Sequence, residues 1–110
     1  MFLIVSKYLI PNGYRAIALY PFVIVRNKDD RNDAVLINHE RIHLRQQLEL
    51  LIILFYVWYF VDFMVKIIQY RDRNAAYRNI VFEREAYARE KEYGYLGSRL
   101  AFNFIHYYKL

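Results

Sequence analysis

The chain has 110 residues, 57% hydrophobic and 19% aromatic, with a net charge of +5. That length holds one domain with a real core, residues 1–110, and the apolar share excludes a disordered chain. Cysteine is absent, which excludes disulfide frameworks, thiolate metal sites and cysteine nucleophiles together.

Lys and Arg are interleaved with Asp and Glu and form no block. A solvated surface is therefore expected, with no nucleic-acid partner. The first seven residues lack a basic region and a small-residue cleavage site, so no signal peptide is expected. The expected location is cytoplasmic or membrane-associated.

Residues 1–10 read as a strand ending at Pro11-Asn12-Gly13, where Asn and Gly tolerate positive φ. Residues 14–26 are rich in β-branched and aromatic side chains and predict a second strand, giving a hairpin. Pro21 cannot donate to a ladder, which places it at a sheet edge or on a bulge. An edge strand there is open to an extended peptide. The polar segment 27–33 follows, and Asn32 or Asp33 is the expected N-cap of a helix opening at Ala34.

That helix carries Asn38-His39-Glu40-Arg41-Ile42-His43. Positions four apart share a helix face, so His39 and His43 can offer two imidazole nitrogens to one metal ion. Glu40 projects about 100° away, placed to act on a water at the metal without itself ligating. The H-E-x-x-H pattern is the zinc hydrolase helix, with the glutamate as general base.

Residues 48–68 are almost continuously apolar, interrupted by Glu49, Asp62 and Lys66. A buried core helix or helix pair is expected, because Asp62 is costly at mid-membrane. Residues 71–78 read as a polar connector, and Asn79 as the cap of a helix over 80–93, stopped by Gly94. An aromatic tail, residues 100–110, closes the chain. The predicted class is α+β, mainly α: a small N-terminal sheet on the histidine helix, a folded-back apolar helix and a glutamate-bearing helix.

A catalytic zinc site takes three protein ligands. The third must be His, Asp or Glu from elsewhere, and the persuasive source is the run Phe82-Glu83-Arg84-Glu85-Ala86-Tyr87-Ala88. Here the chain resembles the gluzincin metallopeptidases, the small minigluzincins above all, over residues 39–43, Gln46 and residues 83–86. The resemblance implies a zinc metallopeptidase acting on peptides or proteins, active or latent. It aligns Glu83 with the ligand and leaves Glu85 as the alternative. Position 87 is Tyr where relatives commonly carry an acid that orients a histidine, and Arg41 stands at a usually uncharged place. Tyr87 and His106 are candidates for oxyanion donor or for support of the ligands; in a latent form the tail bearing His106 covers the zinc. The alternative reading is a membrane-associated or oligomeric helical protein, using residues 50–65 and the tail as its contact surface, with a structural metal or none.

Geometry adds a condition. Glu83 lies 40 residues after His43, and one unbroken helix to Tyr70 would carry the chain about 40 Å away at roughly 1.5 Å per residue. The 13 residues left before Glu83 bridge that only if nearly fully extended, at about 3.3 Å each. The apolar stretch must therefore fold back. The expected break is at residues 55–62, with Asp62 capping a second helix.

Overall fold

The computed structural model describes residues 1–108. In chain order the elements are β1 (Phe2–Val5), β2 (Ala16–Leu19), β3 (Phe22–Val25), a 3-10 turn (Lys28–Asn32), α1 (Ala34–Glu49) and α2 (Ile53–Tyr70). There follow α3 (Arg73–Asn79), α4 (Val81–Arg89), α5 (Tyr95–Ser98) and a closing 3-10 turn (Asn103–Tyr107). This is the α+β, mainly α class the sequence predicts.

The sheet departs from the expected hairpin. Its order is β1-β3-β2, with β1 parallel to β3 and β2 antiparallel to it. The hairpin forms inside residues 14–26, turning at Tyr20-Pro21. Proline has no N–H for a ladder and a fixed φ, so it marks the turn here rather than an edge or bulge. β1 is short because residues 6–15 cross over, as a parallel pairing requires. Arg26 secures that crossover, donating to the carbonyls of Ile10 (2.9 Å), Pro11 (2.7 Å) and Tyr14 (2.9 Å).

Helix α1 opens as expected: Asp33 is its N-cap and accepts from the Leu36 backbone N–H at 3.1 Å. One face packs on the sheet, Leu44 against Val23 and Val25. Another meets α4 and α5, Ile42 against Ala86 and Tyr95. The histidine helix is thereby held on two sides.

The apolar stretch does fold back, but earlier than predicted. The break is at residues 50–52, where Leu51 and Ile52 both have positive φ (57° and 61°). A β-branched residue is strained there, and the surroundings must over-determine it. The Ile52 N–H donates to the Gln47 carbonyl at 2.7 Å, while Leu50 and Phe55 bury into the aromatic core beside Phe82. Residues 55–62 run through without interruption in α2.

Asp62 caps a helix, though not its own. Its Oδ2 accepts from the Val81 N–H at 2.7 Å, at the start of α4, and its Oδ1 accepts from Lys66 at 2.8 Å. The predicted cap, Asn79, instead donates back to the Ala75 carbonyl at 2.7 Å. Residues 71–78 are not a plain connector; α3 occupies most of them, with Asp72 as its N-cap. The core expectation for α2 holds on one face only. Among the described residues it is the one helix long and apolar enough to cross a membrane, at mean hydropathy 1.4, and 17% of it is buried.

Candidate metal centre

The fold-back brings α4 against α1 and sets Glu83 opposite the histidines. His39 Nε2 lies 3.1 Å from Glu83 Oε1, His43 Nε2 lies 3.0 Å from it, and the two nitrogens are 3.2 Å apart. All three side chains are buried. A tetrahedral ion bonded at about 2.0–2.1 Å sets its ligands about 3.3–3.4 Å apart. The observed triangle matches that within a few tenths of an ångström, and two imidazoles with a carboxylate are a zinc set. The residues fit the metal.

The outer contacts fix which nitrogens face inward. His39 Nδ1 lies 3.0 Å from Glu90 Oε1, an acceptor, so Nδ1 carries the proton and Nε2 presents its lone pair. His43 Nδ1 lies 2.8 Å from Gln46 Oε1. The Gln46 amide donates to the Phe82 carbonyl (3.2 Å) and to Glu85 Oε1 (2.8 Å), which fixes its oxygen toward His43. Tyr59 donates to Glu83 Oε2 at 2.7 Å. Both histidines and the glutamate are thus oriented by partners beyond the triangle.

Glu40 comes within 4.0 Å of His39 Nε2 through Oε2. It can be grouped with the histidines as a ligand, but Glu83 touches both ring nitrogens and Glu40 touches neither at bonding distance. Among the described residues no group donates to the Glu40 carboxylate, which is buried and lines the cleft.

Electrostatics follow from this crowding. Burial pushes the Glu40 carboxyl up; His43 and His39 pull it back only in part, and Glu83 and Glu90 add to the rise. Burial alone would lower the His43 value, but the charge and hydrogen bond of Glu83, with Glu40, raise it to about 9. Burial works against the Glu83 anion, yet His43 and His39 hold it well below the usual carboxylate range.

Two lobes of about 630 and 320 Å³ open onto the centre and share Tyr14, Ala16 and Tyr77 along their walls. β2 forms one side, and it is an edge strand of the sheet. Arg15 accepts from Arg26 across the hairpin, so by alternation Ala16 and Ala18 turn their peptide groups outward. Gln47 and Tyr56 cover one end, both donating to the Ala18 carbonyl, at 2.8 and 2.7 Å.

The site residues expected from sequence divide cleanly. His39, Glu40, His43 and Glu83 come together. Glu85 does not: its carboxylate accepts from Arg99 at 2.6 and 3.0 Å, from Gln46 and from the Tyr95 hydroxyl. It supports His43 through Gln46 instead of ligating. Tyr87 stacks edge-on to His39, ring centroids 4.5 Å apart, and edge-on to Tyr77 at 6.4 Å, and both tyrosines line the cleft. His106 is elsewhere, exposed and bonded to Asn103 at 3.0 Å. The tail packs through Phe104 on Phe82 and Trp58 and lines neither lobe, so it does not cover the centre; the expectations for residues 109 and 110 lie outside the described residues.

Glu90 and Tyr59 were missed. Glu90 follows Glu83 by seven residues, two turns along one face, and that spacing was the available signal. Its position is held by Asn38, just before the motif, whose amide donates to the Glu90 carbonyl at 2.9 Å. No local pattern distinguishes Tyr59 among 12 tyrosines.

Comparison of the chain with protein-family models, curated proteins and solved structures finds no match.

Proposed function

We propose that this chain is a zinc-dependent metallopeptidase acting on peptide or protein substrates. The observation that carries the reading is the acceptor triangle of His39, His43 and Glu83, with an undonated, buried Glu40 beside it. Zinc, when bound, polarises a scissile carbonyl and lowers the pKa of water toward about 7. Glu40 takes the proton of the attacking water and returns it to the leaving amine, a role its raised proton affinity suits. Tyr77 and Tyr87 offer hydroxyl donors along the cleft for a developing oxyanion. The open edge of β2 at Ala16 supports alignment of an extended peptide by backbone hydrogen bonds.

The test is Glu40→Gln in zinc-loaded protein. Casein cleavage is expected to fall at least about 100-fold with zinc held near one per chain. Cleavage that survives refutes the general-base role.

A further inference from the structure

α2 has two faces. The inner face carries Phe55, Trp58, Tyr59 and the Asp62–Lys66 pair, and it is tied to α4 through Asp62 and Val81. On the outer face Leu54, Val57, Phe60, Val61, Val65 and Ile68 are each 51–76% exposed. Together they present on the order of 700 Å² of apolar surface, more than the largest patch of a typical monomer. No charged residue of α2 faces outward, because Asp62 and Lys66 are both 5% exposed and paired with each other. Leu51 in the strained turn before the helix is also exposed, by 75%, as is Leu48 in the last turn of α1, by 49%.

We propose that this face rests on an anionic lipid bilayer, with α2 lying in the plane of the membrane surface. Spanning is excluded by the inner face, whose charged pair and cap to Val81 are part of the core. An in-plane helix needs a continuous apolar face and a partner for its other side, and here the folded domain takes that other side. Charge is complementary at the helix end, where exposed Arg71 and Arg73, with one acid, Asp72, between them, follow half-exposed Tyr70 at the place where interfacial anchors belong. A second copy of the chain fits less well. Leu54, Val57, Val61 and Ile68 follow a helix-pairing repeat, but the shoulder positions Phe60 and Val65 are apolar where a water-exposed helix pair carries charge. The inference is independent of the metallopeptidase reading.

The chain has a single tryptophan, Trp58, half-buried against Phe82 and Phe104 at the border between the inner face and the stripe. The full chain is titrated with vesicles of phosphatidylcholine alone and with added phosphatidylglycerol, each also prepared with brominated acyl chains. Binding at least tenfold tighter to the anionic vesicles, with Trp58 fluorescence quenched by bromine, is expected. The double variant Val57→Glu, Val61→Glu should bind at least tenfold more weakly with an unchanged far-ultraviolet spectrum; should it fail to fold, wild-type quenching decides alone. Absence of binding to either vesicle overturns the proposal. So does a concentration-dependent dimer in its place.

Discussion

Glu83 and Glu85 stand two residues apart on α4, and both are buried, at 4% and 0% exposure. Their surroundings are opposites. Around Glu85 every neighbour is a donor: Arg99, Gln46 and the Tyr95 hydroxyl spend its lone pairs, and Arg99 reaches on to Glu49 at 2.6 Å. Around Glu83 Oε1 the neighbours are two Nε2 atoms whose rings already hold their proton on the far side, against Glu90 and Gln46. Three acceptors converge with no donor among them. A buried acceptor surplus is costly unless a cation sits at its centre. The raised proton affinity of His43 is the same demand, met by a proton in place of a metal. The carboxylate is the same in the two clusters; the balance of donors and acceptors separates a structural carboxylate from a candidate ligand.

The comparison breaks most directly at Glu83. Glu83→Ala should lower bound zinc from near one per chain to below one-tenth after dialysis, read by metal analysis. Retained zinc would remove Glu83 from the ligand set. Arg99→Leu tests the other cluster. It leaves buried Glu85 and partly buried Glu49 without their cation, and should cost about 3–5 kcal/mol in denaturant unfolding. The folded fraction should still bind one zinc. Loss of zinc without loss of stability would reverse the two roles.

Next in size is a pH effect confined to the histidine cluster. In metal-free protein the His43 value is raised to about 9, above its unfolded value near 6.5. Its contribution is therefore complete below about pH 6.5 and lost as pH rises through about 9, amounting to roughly 3 kcal/mol. Thermal or denaturant unfolding across that window should show the loss in chelator-treated protein and its absence in zinc-loaded protein. A flat profile without metal would mean that His43 and Glu83 are not paired.

Much of this centre was legible in sequence because helical periodicity is local: His39, Glu40 and His43 need only α1, and Asp33 before Ala34 announces it. The need for a fold-back was legible too, as a matter of chain reach. Its place was not. Leu51 and Ile52 adopt positive φ without glycine or asparagine, held there by the Gln47 carbonyl and by the burial of Leu50 and Phe55. That is a tertiary cause with no local trace. In sequence Asp62 suggests a cap for its own helix, since a cap acting across 19 residues leaves no periodic mark. The sheet order is not legible because residues 16–25 carry no charge to mark a turn, and Pro21 suits both an edge and a turn.

Glu90 offers the finest test of how far the acceptor surplus is engineered from outside. It touches His39 Nδ1 and no other ring nitrogen of the centre. Replacing the carboxylate by the amide in Glu90→Gln keeps an oxygen to accept that proton, but removes the charge that makes the ring a stronger donor to metal. Zinc affinity should fall by about 10- to 100-fold, measured by competition with a chromophoric chelator, while the stoichiometry at saturation stays near one. Stability of the metal-free protein should change little, because Asn38 anchors the Glu90 backbone through its carbonyl whatever the side chain is. An affinity unchanged by the substitution would show that His39 is oriented by its packing against Tyr87, and that Glu90 merely sits beside it.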